Sequence, residues 1–194
     1  MSEIKSLEPK SLWNNFDMIC SIAHPSKKES KLVEALVEFA TRHNLEHTID
    51  KIGNVIIRKP ASKGMENLKG VVLQAHIDMV PQKNADTKHD FETDPILPWI
   101  DNGWVRAKGT TLGADNGIGV AAILAVLEDK DAIHGPLEAL LTIDEETGMT
   151  GAFGLEAGVL KGDILLNLDS ETEGELYVGC AGGIDGTFVF DYNK

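Results

Sequence analysis

Hydrophobic residues near the start of the chain recur every three or four positions, which is the spacing of an amphipathic helix. The first such stretch contains Leu12, Phe16 and Ile19. It stops before Pro25, because a proline restricts the conformation of the residue that precedes it. A second apolar stripe runs through about residues 29–43. The pattern therefore predicts two helices in this part of the chain.

Beyond about residue 46 the apolar positions form short runs instead, which are typical of β-strands. HTIDKIGNVIIRK predicts two strands around a turn at Gly53-Asn54, and PWIDNGWVRA predicts a hairpin around Asn102-Gly103. Further strands are predicted at VVLQAH, LEALLTI, DILLNLD, ELYVGC and GTFVFDY. Nearly continuous apolar runs such as VVLQAH are typical of strands buried on both faces.

Two more helices are predicted between these strands, at residues 116–129 and 149–157. Asp115 stands directly before the first of them, where aspartate is a favoured N-cap. Buried strands that alternate with helices predict an α/β fold, with three α-β-α layers and a mixed, mostly parallel sheet. In such sheets ligands bind beyond the carboxyl ends of the strands.

The composition is that of a folded domain with an uneven distribution of charge. The 194 residues can bury a sizeable core, and the formal net charge is −13. Residues 1–100 carry a net charge of −1, whereas residues 101–194 carry −12. Such an acidic half repels phosphates and attracts cations, so we expect no nucleic-acid partner and no anionic membrane surface.

Neither the N-terminus nor the longest apolar run indicates secretion or membrane insertion. MSEIKSLEPKS lacks the apolar segment of a signal peptide, and residues 118–127 form an apolar run about half as long as the ~20 residues of a membrane helix. Cys20 and Cys180 are the only cysteines, which excludes a disulfide framework. We therefore expect a cytoplasmic protein.

A histidine and several carboxylates lie at the predicted carboxyl ends of strands. His76 ends VVLQAH, and Asp169 ends DILLNLD. Glu145 and Glu146 follow LEALLTI, and Asp115 precedes a helix expected to pack on the same sheet. Each residue alone has an ordinary structural interpretation, such as a helix cap or an acidic turn. Together they offer the nitrogen and oxygen ligands that suit Zn²⁺, with Mn²⁺ or Co²⁺ as substitutes.

Two further features belong to this candidate metal site. Asp78 lies two residues after His76, so both side chains point the same way in an extended segment, and a carboxylate there can fix the imidazole tautomer. Of two adjacent glutamates, one can bind a metal while the other acts as a general base. No GxSxG motif is present, so a serine hydrolase of that type is not predicted. The remaining histidines are expected to be solvated: His24, His43, His47, His89 and His134.

The ordered motifs HID, GTTLGADNGIG, DEETGMTGAFGL, NLDSE and VGCAGG resemble those of the zinc-dependent aminoacylase and carboxypeptidase-like peptidases. Within that family, DMVPQKNADTKHDF and GADNGIG are most similar to the aminoacyl-histidine (Xaa-His, carnosinase-like) dipeptidases. The resemblance covers nearly the whole chain. It implies metal-dependent hydrolysis of small dipeptides of the Xaa-His type.

The resemblance also implies a role for each matching residue. His76 and Asp169 would bind one zinc ion, Glu146 would bind a second, and Asp115 would bridge the two. The peptide bond between Asp115 and Asn116 would be cis.

The two remaining residues would act beside the metals. Asp78 would orient the histidine from behind. Glu145 would be the general base that takes a proton from a metal-bridging water.

The same resemblance sets expectations for domain organisation, because members of that family are much longer. Residues 1–184 are expected to be the N-terminal part of the catalytic domain, and residues 185–194 the start of a lid and dimerisation domain. A histidine that completes the second metal site would lie outside these residues. The complete protein would then be a homodimer, and this portion would have little or no activity by itself.

Two alternatives stay open on the sequence. An aminoacylase or a tripeptidase could use the same scaffold. The other alternative is a non-catalytic acidic domain that binds a cation or a partner.

Overall fold

A computed structural model of the protein describes residues 2–170, 172–180, 182–184 and 186–192. Its centre is a sheet of five strands within these residues, accompanied by a separate two-stranded hairpin. The strands in chain order are β1 (Glu46–Ile49), β2 (Val55–Lys59), β3 (Val71–His76), β4 (Pro98–Asp101), β5 (Trp104–Ala107), β6 (Leu137–Thr142) and β7 (Ile164–Asn167). The α-helices are α1 (Lys10–Cys20), α2 (Ser30–Arg42), α3 (Ala114–Glu128) and α4 (Thr150–Phe153), and a 3-10 turn occupies Glu3–Ser6.

The sheet has the spatial order β1-β2-β6-β3-β7. β3 runs parallel to both β6 and β7, whereas β2 is antiparallel to both β1 and β6. The predicted α/β class with a mixed sheet is therefore confirmed. Parallel and antiparallel pairings are equal in number within the described residues, so the sheet is less dominated by parallel pairs than expected.

Alternate residues of the buried strands face two different layers. In β2, Val55 and Ile57 point into the main core, which α1, α2 and α3 cover. Ile56 points to the opposite face and packs with Val72 and Leu140. The segment after α4 covers that second face through Leu155, Val159 and Leu160. The result is a three-layer arrangement with a thin second layer.

Helix α3 is the most deeply buried helix and packs against β3 and α1. Its sequence is apolar on all sides, which is typical of a helix enclosed by the protein. Among its residues Val120, Ile123 and Leu124 are inaccessible to solvent. This burial fixes the start of α3 against the carboxyl end of β3, where the candidate site lies.

Both hairpins form where the sequence predicts them. Asn102 and Gly103 adopt positive φ angles of 49° and 85°, as the tight turn between β4 and β5 requires. The turn between β1 and β2 is longer than the predicted Gly53-Asn54 pair. It is organised by Asp50, whose Oδ1 accepts the N–H groups of Gly53 and Asn54 at 2.9 and 2.8 Å.

Two predicted strands are absent. The described residues 175–180 and 186–192 form no strand, and apolar side chains such as Val178 and Phe190 are exposed there. An alternating apolar pattern makes a strand only when a neighbour accepts its backbone hydrogen bonds. No strand pairs with the outer edge of β7 within the described part of the chain. The prediction at ELYVGC and GTFVFDY is therefore wrong.

Smaller differences concern the ends of elements. Helix α4 covers four residues of the nine predicted for it, and β7 ends two residues before Asp169. The predicted domain boundary between residues 184 and 185 stays a prediction, and Asp185 lies outside the described residues. In the described ranges, no helix combines the length and the apolar character that crossing a membrane demands.

Candidate metal centre

The carboxyl ends of three parallel strands bring the predicted site residues to one edge of the sheet. His76 is the last residue of β3. β6 is followed by Asp144, Glu145 and Glu146, here called the acidic loop. Asp169 follows β7, which pairs with the other side of β3. Because these strands run in the same direction, residues far apart in sequence meet at a single edge.

The imidazole of His76 lies at the centre of the cluster, and it is almost completely buried. Its Nε2 atom is 3.0 Å from Asp115 Oδ1, 3.8 Å from Asp169 Oδ2 and 4.0 Å from Glu145 Oε2. One side-chain ligand atom from each of His76, Asp115 and Glu146 lies within 4.8 Å of the others. The structure therefore brings the four predicted ligand residues together around His76.

Asp78 occupies the other side of the same ring. His76 Nδ1 lies 3.1 Å from the Asp78 carbonyl oxygen and 3.3 Å from its Oδ1. A proton on Nδ1 is thus held by Asp78, which leaves Nε2 to face the carboxylates. Asp78 and Asp115 thus contact opposite nitrogen atoms of the ring.

The charges of the site shift its pKa values in opposite directions. Burial lowers the pKa of His76, but the hydrogen bond to Asp78 and the charge of Asp169 outweigh burial and raise the pKa to about 9. Burial raises the pKa of Asp78, yet hydrogen bonds from His76 and from the N–H groups of the acidic loop lower it to about 2. The two residues therefore form an ion pair at neutral pH in the metal-free chain.

The other carboxylates repel one another. Burial raises the pKa of Glu145, Glu146 and Asp169, and the negative charge of Asp115 adds to the effect on all three, while His76 opposes it. The single positive charge of His76 does not balance these carboxylates, and one imidazole with several carboxylates is a donor set suited to zinc. The residues present therefore fit a divalent cation, which would replace the proton of His76 at Nε2.

The backbone around Asp115 differs from the predicted helix cap. The N-cap of α3 is Gly113, in the left-handed conformation, and Asp115 lies inside the assigned helix with non-helical dihedral angles. The N-cap prediction for Asp115 is wrong because its carboxylate turns toward His76 instead of toward the helix amides. The predicted cis peptide bond at Asp115-Asn116 is confirmed.

Asn116 is buried beside this site, and sequence reasoning gave its side chain no role. Its amide atoms make no hydrogen bond of ordinary geometry within the described residues, but the amide lies close enough to Asp169 to lower the pKa of that carboxyl. A Cβ atom at Gly119 would overlap Asn116 Oδ1 and lie 2.8 Å from the carbonyl oxygen of Leu168. The glycine therefore leaves the space that Asn116 fills between α3 and the end of β7.

The segment between α1 and α2 also reaches the site, which the sequence did not indicate. Ser26 donates a hydrogen bond of 2.7 Å to Asp78 Oδ2 across 52 positions of sequence. His24, expected to be solvated, is buried, and its carbonyl oxygen accepts the Met79 N–H. Burial lowers the pKa of His24. The contacts come from a parallel bridge between Pro25 and Met79, for which no local sequence signal exists.

Residues 72–185 match the profile of Peptidase family M20/M25/M40. The chain belongs to this peptidase family. The matched residues contain the candidate site from His76 to Asp169, and the resemblance seen in the motifs is confirmed.

Similar proteins place this family member close to the dipeptidases. It is 61% identical over 187 residues to the cytosol non-specific dipeptidase of Escherichia coli, a match that covers 96% of this chain and 39% of the relative. The structure of an aminoacylhistidine dipeptidase from Vibrio alginolyticus superposes with a TM-score of 0.90 and 68% identity, covering 92% of this chain and 36% of the other. The aminopeptidase PepT of Bacillus cereus is more distant, with a TM-score of 0.71 and 26% identity over 84% and 44% of the two chains. The chain thus spans well under half the length of these relatives.

Proposed function

We propose that the cluster around His76 is the metal centre of a dipeptidase that hydrolyses Xaa-His dipeptides. One observation carries the proposal. Carboxylates that follow the two strands on either side of β3, and one from α3, lie within 4.0 Å of the Nε2 atom of His76. Membership of a peptidase family and the similarity to two dipeptidases support the reaction class. The preference for a C-terminal histidine is supported by the similarity to the Vibrio alginolyticus enzyme.

Four residues would hold the metal. We assign His76 and Asp169 to one zinc ion, Glu146 to a second, and Asp115 to both. When bound, the two cations would lower the pKa of water and polarise the scissile carbonyl group. Zinc suits the mixture of imidazole and carboxylate ligands, and Mn²⁺ or Co²⁺ would be tolerated.

Glu145 is assigned as the general base. Its carboxylate stands 4.0 Å from His76 Nε2 and is partly exposed, so a substrate and a water molecule can reach it. Burial and the neighbouring negative charges raise its pKa, which makes it a stronger base than an ordinary glutamate. It would take the proton of the attacking water and deliver it to the leaving amine nitrogen.

Asp78 is assigned a supporting role behind His76. Its contact with Nδ1 fixes the ring so that Nε2 faces the ligands. The whole protein would act on small peptides in the cytoplasm, in keeping with the name of the Escherichia coli relative. We further propose a homodimer for the whole protein, on the family resemblance alone.

Zinc titration by calorimetry tests the metal assignment on the 194-residue chain. We expect Asp169→Asn to weaken zinc binding about 10- to 100-fold, because a negatively charged ligand is lost. Asp163→Asn is the matched control, since Asp163 is an exposed aspartate just before the other end of β7. Equal zinc affinities of Asp169→Asn and Asp163→Asn would contradict the metal assignment. The absence of zinc binding by the unaltered chain would contradict it as well.

Hydrolysis with zinc present tests the reaction. Because the chain spans 39% of the length of the Escherichia coli relative, we expect a low rate with a Xaa-His dipeptide. Glu145→Gln should abolish that rate while zinc affinity stays within about threefold. Faster cleavage of an N-acyl amino acid or a tripeptide would favour those alternatives. Undiminished turnover by Glu145→Gln would disprove the role of the base.

A further inference from the structure

Three consecutive backbone N–H groups of the acidic loop are bound by buried carboxylates. The N–H of Asp144 donates to Glu29 Oε1 at 3.1 Å. The N–H groups of Glu145 and Glu146 donate to Asp78, at 2.9 Å to Oδ1 and 3.2 Å to Oδ2. Successive amides that point the same way form a concavity suited to an anion. Here the protein's own side chains fill that concavity.

Glu29 is the residue directly before α2 and lies far from the acidic loop in sequence. Only 6% of it is exposed, so its carboxylate depends on donors from the chain. It accepts the N–H of Lys27 at 2.9 Å as well as that of Asp144. The Lys27 backbone has a positive φ of 68°, which turns its amide toward the carboxylate. The two bonds join the α1–α2 segment to the loop that carries Glu145.

Asp144 is fixed on its other side as well. Its backbone has a positive φ of 47°, a conformation that non-glycine residues seldom adopt. Its carboxylate accepts hydrogen bonds from the hydroxyl groups of Thr147 and Thr150. The side chain is therefore held in the protein interior, close to the carboxylates of Glu29 and Asp78. The next two side chains of the acidic loop lie close to His76.

We propose that Glu29 is a positioning residue: together with Asp78 it holds the acidic loop so that Glu145 and Glu146 face His76. Asp78 binds two of the three loop amides, and Glu29 binds the first. Without Glu29 the N–H of Asp144 would be buried without a hydrogen-bond acceptor. The positive-φ conformation of Asp144 would then lose a hydrogen bond that helps to hold it. The consequence for zinc affinity rests on the proposed function, whereas the consequence for the loop does not.

Amide hydrogen exchange, followed by NMR on the metal-free 194-residue chain, tests the proposal. Glu29→Ala should speed the exchange of the three loop amides by about tenfold or more. Glu29→Gln retains an oxygen acceptor and should stay within about threefold of the unaltered chain. Leu32→Ala is the control for general destabilisation, since Leu32 is fully buried in α2, three residues after Glu29, and makes no hydrogen bond to the loop. When exchange rates are compared at equal global stability, the loop amides of Leu32→Ala should exchange more slowly than those of Glu29→Ala.

Unchanged loop exchange in Glu29→Ala, or equal acceleration in Leu32→Ala, would overturn the proposal. If Glu29→Ala does not fold, Glu29→Gln decides the matter. The amide proton of Asp144 should then shift upfield, because its acceptor has lost a charge, while Glu38→Gln on the exposed face of α2 leaves it in place. An unmoved Asp144 resonance overturns the proposal equally.

Zinc affinity gives a separate readout. Glu29→Ala should weaken zinc binding about tenfold relative to Leu32→Ala, and Glu29→Gln should restore most of it. Equal zinc affinities for Glu29→Ala and Leu32→Ala would refute the positioning role at the metal. A chain that binds no zinc at all would contradict the proposed function, and the exchange results would still decide the role of Glu29.

Discussion

Asp78 contacts His76 and the acidic loop with the same oxygen atom. Its Oδ1 lies 3.3 Å from His76 Nδ1 and accepts the Glu145 N–H at 2.9 Å. The orientation of the imidazole ring and the position of the Glu145 backbone therefore both depend on Asp78. The role of Asp78 in the proposed site is broader than fixing the histidine tautomer.

Replacing Asp78 by asparagine should damage stability and zinc binding together. One carboxylate oxygen becomes an NH₂ group, which cannot accept the N–H of Glu145 or Glu146. We expect the free energy of unfolding to fall by about 2–3 kcal/mol, because a buried donor is left without an acceptor. Urea denaturation measures this loss, and calorimetry should show at least about tenfold weaker zinc binding. A loss of stability with full zinc affinity would show that the two roles are separate.

The same residue should make the metal-free chain sensitive to acid. The pKa of Asp78 is lowered in the folded protein from its ordinary value of 3.8 to about 2. A carboxyl group with a lowered pKa stabilises the fold above its unfolded-state value, and this contribution is lost as the pH falls from about 4 toward 2. Urea unfolding across that range should show the loss, and Asp78→Asn should flatten that part of the curve. An unchanged slope in the variant would mean that other carboxyl groups cause the acid sensitivity.

Replacing Gly119 by alanine should disturb the candidate metal site through Asn116 and Leu168. The added Cβ would overlap Asn116 Oδ1 and press on the carbonyl of Leu168, which precedes Asp169. Alanine favours a helix by about 1 kcal/mol over glycine, but we expect the crowding to outweigh this gain and to cost about 1–3 kcal/mol. Thermal unfolding and zinc titration measure the effect. Gly179→Ala is the control, because a Cβ there meets nothing within 4 Å. A stabilised Gly119→Ala variant would show that Asn116 can move freely.

The outer edge of β7 should promote self-association. β7 pairs with β3 on one side, and no strand covers its other side within the residues that the structure describes. Leu165 on this strand is 54% exposed, and an unpaired apolar edge is a template for another strand. We expect Leu165→Lys to reduce concentration-dependent association in sedimentation velocity. Leu68→Lys is the matched control, since Leu68 is also 54% exposed but lies outside the strands. Equal effects of both changes would assign the association to general hydrophobicity.

Much of the fold is encoded in local patterns. β3 and β6 were predictable from continuous apolar runs, and the β4–β5 turn from Asn102-Gly103, because these features depend on neighbouring residues alone. The antiparallel pairing of β2 with β6 was not predictable, because the pattern of a strand does not identify a partner that is distant in sequence. Residues 175–180 show the same limit, because their apolar side chains indicate a strand that has no neighbour to pair with.

The candidate site divides in the same way. His76 and Asp169 could be proposed because both end apolar strands, and parallel strands bring their ends together. Ser26 and Glu29 could not, because their contacts with Asp78 and Asp144 span 52 and 115 positions. For Asp115 the position before a helix favours a cap, whereas the family resemblance implies a bridging metal ligand. In the structure its carboxylate lies 3.0 Å from His76 Nε2 and does not cap the helix. Long-range polar contacts of this kind leave no periodic trace in a sequence.

The location of His76 at the end of β3 has a consequence for how the chain folds. Its partner Asp115 lies 39 positions later, and the contact between Asp78 and Glu145 spans 67. The cluster therefore cannot assemble before β3, β6 and α3 have come together, and such distant contacts slow folding. An ion that binds only the completed cluster would lower the free energy of the native state and leave the unfolded chain unchanged. The rate at which a refolding chain captures zinc would then report the moment at which the sheet closes around His76.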